Sequence, residues 1–116
     1  MGIMDTFTAI AEPTRRSILE MLAVSGNLSA SDIYRNFKSS PPAISQHLKV
    51  LREAKLVRVE RGAQQRIYFI NPEPMKELEK WVHQFAAQME NQYQRLDKLL
   101  EVEKQRLLAN KEQEKK

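Results

Sequence analysis

The 116-residue sequence contains no cysteine, only three glycines and no long apolar run. Without cysteine the chain can form no disulfide, no thiolate metal site and no cysteine nucleophile. Without about 18 consecutive apolar residues, no transmembrane helix is expected. The N-terminus also lacks the basic and apolar regions of a signal peptide. We therefore expect a soluble protein with no membrane insertion.

The composition is that of a globular protein, with 41% hydrophobic and 29% charged residues. A chain of this length forms one compact domain more readily than two. The sequence contains no Ser/His/Asp arrangement, no paired catalytic carboxylates and no glycine-rich phosphate loop. We therefore expect neither an enzyme nor a bound cofactor.

The formal charge of +4 is unevenly distributed along the chain. Residues 1–12 carry a net −2, residues 13–71 carry +6 and residues 72–116 carry no net charge. A basic segment with neutral or acidic flanks is typical of a polyanion-binding module joined to something else. We predict three segments with these bounds: an N-terminal helix, a central core and a long C-terminal helix.

Apolar residues spaced by three or four predict short helices in the first part of the chain. Residues 3–11 predict the first helix. Pro13 suits the first turn of a second helix, and Gly26 is expected to end it. Ser29 and Asp32 predict a capping box, with the carboxylate reaching back, at the start of a short third helix.

A fourth helix is predicted after a polar turn, with Ser40 as its N-cap before two prolines. Its buried stripe is expected to consist of Ile44, Leu48 and Leu51. From Leu56 the periodicity changes to two, which predicts a β-hairpin with Gly62 at its tip. The residues expected to face inward from the hairpin are Val57, Val59, Ile67 and Phe69.

The last 40 residues predict a long helix, because no glycine or proline follows Pro74. Apolar residues at alternating steps of four and three form a heptad-like seam of Leu78, Val82, Phe85, Met89, Leu96 and Leu99. A helix from residue 75 to about 108 is too long to bury this seam against a small domain. We expect a second copy of the chain to cover it, and residues 109–116 to fray.

The order of these elements predicts a mainly α fold with a small β-hairpin wing, the winged helix-turn-helix. In that fold the fourth helix enters the major groove of DNA and the hairpin reaches a flanking groove or the backbone. The outward face of the fourth helix is of base-reading and phosphate-binding type, with Ser45, Gln46, Lys49 and Arg52. The hairpin adds further phosphate-binding donors, namely Arg58, Arg61, Gln64, Gln65 and Arg66.

Two stretches make the resemblance to a known family specific. Residues 12–22, E-P-T-R-R-S-I-L-E-M-L, resemble the D-P-T-R-R-x-I-L-x-x-L opening of ArsR-type bacterial repressors. Residues 42–57, P-A-I-S-Q-H-L-K-V-L-R-E-A-K-L-V, resemble their recognition-helix signature P-A-V-S-Q-H-L-K-V-L-R-E-A-G-L-V. The similarity covers about residues 3–100. It implies a cytoplasmic, homodimeric repressor, dimerised through its first and last helices, that binds an inverted-repeat operator.

The resemblance also implies roles for individual residues. By position, Ser45 and Gln46 correspond to base readers, with His47 beside them. The expected phosphate contacts are Lys49, Arg58, Arg61 and Arg66. The full set of predicted DNA contacts is Ser40, Pro41, Pro42, Ser45, Gln46, His47, Lys49, Arg52, Arg58, Arg61, Gln64 and Arg66. The predicted dimer interface consists of Phe7, Leu78, Val82, Phe85, Met89 and Leu96.

One residue departs from the family pattern at the start of the recognition helix. The family usually has glutamine there, whereas this chain has Pro41. Proline offers no bidentate amide, so base readout at this position is lost or replaced by apolar contact with a thymine methyl group. We therefore make no prediction of the operator sequence.

Metal sensing, which is common among relatives, finds little support in the sequence. The family site built from cysteines cannot exist here. A second family site uses Asp and His pairs on the last helix of both subunits, and for it this helix offers only His83 with Glu79 and Glu90. The chain therefore resembles the metal-independent, SdpR-like autorepressors of the family. Two alternatives stay open: a protein-interaction module whose long helix binds a regulatory protein, and a sensor of an organic effector or, less favoured, a metal.

Overall fold

The computed structural model describes residues 3–114, and within them the chain forms five helices and three strands. In chain order these are α1 (Ile3–Ile10), α2 (Pro13–Ser25), β1 (Asn27–Ser29), α3 (Ala30–Arg35), α4 (Pro41–Glu53), β2 (Val57–Arg61), β3 (Arg66–Ile70) and α5 (Pro72–Glu114). The predicted mainly helical fold with a small β wing is confirmed. The described chain divides into two compact units, residues 3–79 and residues 80–114.

Helix α2 begins and ends at the residues predicted for it. Pro13 occupies the first turn, where its missing N–H has no helical partner. The carboxylate of Glu12 caps this turn by accepting a hydrogen bond from the N–H of Arg15 at 2.9 Å. Gly26, with a φ of 87°, ends the helix and donates its N–H to the carbonyl of Leu22 at 2.8 Å.

The serines predicted as N-caps of α3 and α4 are confirmed. Oγ of Ser29 accepts from the N–H of Asp32 at 3.1 Å, and Oγ of Ser40 accepts from the N–H of Ala43 at 3.4 Å. The capping box at α3 is not closed as predicted, because the carboxylate of Asp32 instead lies 3.3 Å from the guanidinium of Arg35.

Helix α4 ends in a Schellman motif built on a lysine. The N–H of Leu56 donates to the carbonyl of Leu51, and the N–H of Lys55 donates to that of Arg52, both at 3.0 Å. Lys55 has a φ of 62°, a left-handed conformation that favours glycine. The buried side chains of Leu51 and Leu56 supply the apolar contact that accompanies this motif.

The sheet has three strands in the order β1-β3-β2, one more than the predicted hairpin. Strand β1 pairs antiparallel with β3 and brings Leu28 opposite Tyr68. Three residues after a glycine, the last of which is itself the N-cap of α3, show too little alternation to predict a strand. Its pairing with β3, about 40 residues later in the chain, makes it one.

The inward face of β3 differs from the predicted one. Tyr68 is buried at 5% exposure, whereas Ile67 and Phe69 are half-buried. The register explains this, because Val59 lies opposite Tyr68 and Val57 lies opposite Ile70. Residues directly opposite in an antiparallel pair share one face, so the inner face of β2 selects Tyr68.

The core of residues 3–79 is formed by apolar side chains of helices α1 to α4 and of the sheet. The predicted buried stripe of α4 is confirmed, since Ile44, Leu48 and Leu51 are at most 2% exposed. Burying side chains of this size stabilises the fold by about 1.5–3 kcal/mol each. The buried apolar residues are Ala9, Ile18, Leu19, Leu22, Ile33, Ile44, Leu48, Leu51, Leu56, Val57 and Tyr68.

Helix α5 is longer than predicted. It begins at Pro72 and continues to Glu114, so residues 109–114, which were predicted to fray, are helical, while 115 and 116 lie outside the described residues. From residue 79 to residue 113 every side chain is exposed. Within residues 3–114 no helix is long and apolar enough to cross a membrane.

Candidate nucleic-acid interface

The outward face of α4 carries the polar side chains predicted to read DNA. Ser45, Gln46, Lys49 and Arg52 are all exposed, because the opposite stripe is buried in the core. Helical spacing places amide, hydroxyl and cationic donors together on one face about as long as a few base pairs. These side chains have the chemistry needed to contact both base edges and phosphates.

The N-terminal turn of α4 has no free amide to offer a phosphate. Pro41 and Pro42 lack an N–H, and the N–H of Ala43 is capped by Ser40. Helix N-termini usually bind anions through such free N–H groups. Phosphate binding near α4 therefore depends on side chains, while the exposed rings of Pro41 and Pro42 present an apolar surface.

The wing divides its arginines between the two faces of the sheet. Arg61 and Arg66 lie opposite each other at the end of the hairpin, on one face and exposed. Arg58 lies on the other face, because strand side chains alternate. The tip is closed by the N–H of Gly62 donating to the carbonyl of Gln65 at 2.8 Å, with Gln64 exposed between them. Of the three wing arginines, Arg61 and Arg66 are therefore the two that lie next to each other on one face.

His47, also predicted to contact DNA, lies against the junction of α1 and α2. Its side chain is 24% exposed, and its Nδ1 lies 3.3 Å from Nη1 of Arg15 and 3.7 Å from Oε2 of Glu12. The exposed side chains of Gln46 and Lys49 lack such contacts with protein groups in the described structure. The structure thus brings His47 together with residues that the sequence did not single out.

Two arginines of the basic segment bind the end of α1. Nε of Arg15 donates to the carbonyl of Ala9 at 2.6 Å, and Nη1 of Arg16 donates to the carbonyls of Ile10 and Ala11 at 2.8 and 3.1 Å. These carbonyls have no helical partner and carry the negative end of the helix dipole. Fewer of the ten basic side chains of residues 13–71 are therefore free to bind a polyanion directly. The sequence gives one sign of this arrangement: no glycine follows α1, so a glycine cap does not satisfy its last carbonyls.

Glu12 remains a carboxylate in this environment. Partial desolvation alone would raise the pKa of Glu12, but three groups together outweigh it and lower the pKa: the N–H of Arg15, the positive charge of His47 when its ring is protonated, and the hydroxyl and N–H of Thr14. The carboxylate can thus cap α2 and face His47 at neutral pH.

The residues considered for a metal site do not form one. Among residues 3–114 no group of three histidine, aspartate or glutamate side chains lies close enough to hold a metal ion. His83, Glu79 and Glu90 lie on α5, whose side chains are exposed over this stretch. Within one chain, a single helix with one histidine does not supply the four ligands of a stable zinc site.

The predicted dimer residues of α5 are apolar side chains with large exposed areas. Val82 and Phe85 are each 48% exposed, Met89 is 38% and Leu96 is 50% exposed, while Leu78 is half-buried. The rings of Trp81 and Phe85 stack at 5.2 Å between centroids. On α1, the predicted dimer residue Phe7 is half-buried.

Comparisons with known proteins agree with this geometry. A family profile described as a bacterial regulatory protein of the arsR family matches residues 12–59. The transcriptional repressor SdpR of Bacillus subtilis is 34% identical over 87 residues, which cover 75% of this chain and 96% of that repressor. The arsenical resistance operon repressor of Staphylococcus xylosus is 33% identical over 64 residues, or 55% of this chain and 61% of that repressor.

A solved structure is similar in fold as well as in sequence. It is described as a possible transcriptional regulator for arsenical resistance, is 36% identical and aligns with a TM-score of 0.64. The alignment covers 70% of this chain and 83% of that one. The residues matched by the family profile contain α2, α3 and α4, which carry the helix-turn-helix.

Proposed function

This chain belongs to the arsR family of bacterial regulatory proteins and is a DNA-binding transcriptional regulator, and we propose that it is a repressor that binds an inverted-repeat operator as a homodimer. The observation that carries this proposal is the exposed polar face of α4 beside an arginine-bearing wing. Because bacterial DNA lies in the cytoplasm, we propose that the protein acts there.

Base reading is proposed for Ser45 and Gln46 on the exposed face of α4. Glutamine can bond adenine through two hydrogen bonds, and serine can bond a base edge or a phosphate. Lys49 and Arg52, one and two turns further along the helix, suit guanine or phosphate. The exposed rings of Pro41 and Pro42 fit apolar contact with thymine methyl groups rather than hydrogen bonding.

Phosphate binding is proposed for the wing. Arg61 and Arg66 provide two guanidinium groups on one face, with Gln64 between them in the chain. Arginine forms bidentate hydrogen bonds with phosphates and does so on any sequence. We assign a lesser role to Arg58, which lies on the other face of the sheet. The hydroxyl of Ser40 accepts a hydrogen bond from the N–H of Ala43 and keeps its own proton to donate to a phosphate.

Self-association is proposed through the apolar side of α5, with Phe7 of α1 contributing. After Met89 the apolar residues follow an 11-residue repeat better than a heptad, since Phe85, Leu96 and Leu107 are each 11 residues apart. Leu100 and Leu107 line an apolar groove here, flanked by Lys104 and Glu103. An 11-residue repeat, at about 3.67 residues per turn, keeps a seam on one side of helices that coil around each other with a right-handed twist. Two such helices can therefore pair along most of their length.

Regulation without a metal is proposed, since the chain has no cysteine for a thiolate site. We do not extend a role in arsenical resistance from the relatives named for it to this chain. The alternative function, a module whose α5 binds a different regulatory protein, rests on the same apolar side of the helix. It differs from our proposal in predicting a monomer in the absence of that protein.

The proposal is tested by selecting bound sequences from a random DNA pool and footprinting the preferred sequence. We expect two half-sites in inverted orientation, separated by about one duplex turn of 34–36 Å or a multiple of it. The selection also shows which base lies beside Pro41. A protein that binds all sequences equally at about 0.15 M salt would overturn the proposal, since phosphate contacts alone give such binding.

A further inference from the structure

Arg15 connects three helices through its guanidinium group. Its Nε donates to the carbonyl of Ala9 at 2.6 Å and its Nη2 to that of Thr8 at 3.2 Å. Its Nη1 lies 3.3 Å from Nδ1 of His47. One side chain at the start of α2 therefore contacts both the end of α1 and the middle of α4.

Nδ1 of His47 lies between two groups that require opposite protonation states. Nη1 of Arg15 can only donate, so Nδ1 must present a lone pair to accept from it. Oε2 of Glu12, at 3.7 Å, can only accept and would need a proton on Nδ1. The Arg15 contact is the hydrogen bond, because 3.7 Å is too long for one. In this geometry Nδ1 is the acceptor, which corresponds to the tautomer with its proton on Nε2.

Arginine is suited to this junction because its guanidinium is planar, always charged and has five donors in a fixed fork. The same plane that binds the carbonyls of Thr8 and Ala9 also meets the imidazole of His47. A lysine ammonium at this position could not hold the three partners in one geometry. The junction therefore joins α4 directly to the end of α1.

The junction lies beside an open cleft between α1 and α4. Asp5 and Ala9 line this cleft from α1, and Val50 and Glu53 line it from α4. Where two helices are separated by a cleft, side-chain packing restrains their angle less than it does in a filled core. The hydrogen bonds of Arg15 then contribute more to that angle.

We infer that Arg15 and His47 are positioning residues that hold α4 at the angle at which Ser45 and Gln46 meet base edges. The inference rests on the proposed function, because it requires sequence-specific binding. Hydrogen bonds to bases weaken steeply when misaligned, whereas phosphate contacts carry no sequence information and depend mainly on charge. Loosening the junction lowers affinity for the preferred DNA and leaves affinity for other DNA unchanged.

The same junction links the recognition helix to the proposed dimer. Helix α1 is one of the two helices proposed to pair between copies, and Arg15 connects its last turn to α4. The separation and angle of the two recognition helices decide whether both half-sites are met together. The junction therefore also affects tolerance to changes in half-site spacing.

The test compares three variants of His47 in the full chain. His47→Ala removes the acceptor. His47→Asn places Oδ1 at the same number of bonds from the backbone as Nδ1, so it restores an acceptor for Arg15. His47→Gln carries the same amide one carbon further out and serves as the matched control. Affinity is measured at about 0.15 M salt for the preferred sequence and for a scrambled duplex of equal composition.

We expect His47→Ala to lose about tenfold in affinity for the preferred DNA, the size expected for one hydrogen bond to a charged group. Affinity for the scrambled duplex stays the same. His47→Asn regains most of the loss, and His47→Gln does not. Arg15→Lys, tested in the same way, behaves like His47→Ala.

The outcomes separate this inference from the proposed function. If the wild type does not discriminate between the two duplexes, the proposed function fails and the inference fails with it. If the wild type discriminates but His47→Ala weakens both duplexes equally, or Asn gives no rescue, the inference alone is overturned. Thermal unfolding of each variant is recorded, and a loss of discrimination that only follows a lowered Tm also counts against it.

Discussion

The side chain of Asn71 donates a hydrogen bond of 2.9 Å to the carbonyl of Lys55, the residue that ends α4 in a left-handed conformation. The N–H of Asn71 also donates to the carbonyl of Leu56 at 2.9 Å. Asn71 lies between β3 and α5, so these bonds tie the end of the wing to the end of the recognition helix. They hold a conformation that lysine adopts unfavourably.

Lys55→Gly should therefore stabilise the protein. A left-handed conformation costs a residue with a side chain about 1–2 kcal/mol, and the greater freedom of glycine in the unfolded chain offsets part of this. We expect the free energy of unfolding in urea to rise by about 0.5–1 kcal/mol, with DNA affinity little changed. Lys49→Gly is the control, since glycine inside α4 should destabilise by about 1 kcal/mol. Destabilisation by both variants would contradict the argument.

Gln46→Ala and Arg61→Ala should have different effects on DNA binding. Gln46→Ala should weaken binding to the preferred sequence by about 1–3 kcal/mol and relax specificity at one base pair. Arg61→Ala should weaken binding to all sequences similarly and reduce the salt dependence by about one phosphate contact. Titrations of both variants against two duplexes at several salt concentrations check this. Similar behaviour of the two would show that the assigned roles are wrong.

Glu12→Gln should remove an acid-dependent part of the stability. The pKa of Glu12 is lowered in the folded chain, so its contribution is complete above the pKa of the unfolded state and is lost as pH falls through the folded pKa. We expect the wild type to be more stable than the variant at pH 7 and the difference to shrink toward pH 3, measured by urea unfolding. Glu20→Gln, an exposed change on the same helix, gives the effect of charge loss alone. A difference that grows on acidification would have the wrong sign.

Leu96→Glu should dissociate the proposed homodimer. Leu96 belongs to both the heptad-like seam and the 11-residue repeat, and a buried unpaired carboxylate in the seam costs several kcal/mol. Light scattering should show a dimer for the wild type and a monomer for the variant. Gln94→Glu introduces the same charge away from the seam and should remain dimeric. A monomeric wild type would instead favour the module that binds a different protein.

Metal ions should leave DNA binding unchanged. The chain has no cysteine and His83 is the one histidine of α5, so neither soft nor borderline metals have a suitable ligand set there. We expect the same affinity for the preferred DNA with added zinc, with added arsenite and with a chelator. Release of DNA on addition of zinc or of arsenite would support the sensor alternative.

Local features of the fold could be predicted because each depends on neighbours in the chain. Pro13, Gly26, Ser29 and Ser40 mark helix ends through their own backbone chemistry. The stripe of α4 follows from spacing alone, and the exposed polar residues on its other face follow from the stripe. The order of the helices and the hairpin also follows from local patterns, and with it the family resemblance.

Features that depend on distant pairing could not be predicted. Strand β1 exists because β3 pairs with it, and the register with β2 rather than the alternation of β3 selects Tyr68 for the core.

The predicted end of α5, at about residue 108, also differs from the structure, in which the helix continues to Glu114. Loss of an apolar seam does not by itself end a helix rich in good helix formers.

By itself, the sequence determined that the positive charge lies in residues 13–71 and that α4 has a buried and a polar face. Only the tertiary structure decided how the charges are used. Arg15 and Arg16 bind the carbonyls that end α1, and His47 turns toward Arg15. The reason is physical: a helix end leaves carbonyls without partners, and which side chains reach them depends on how the chain folds back in space.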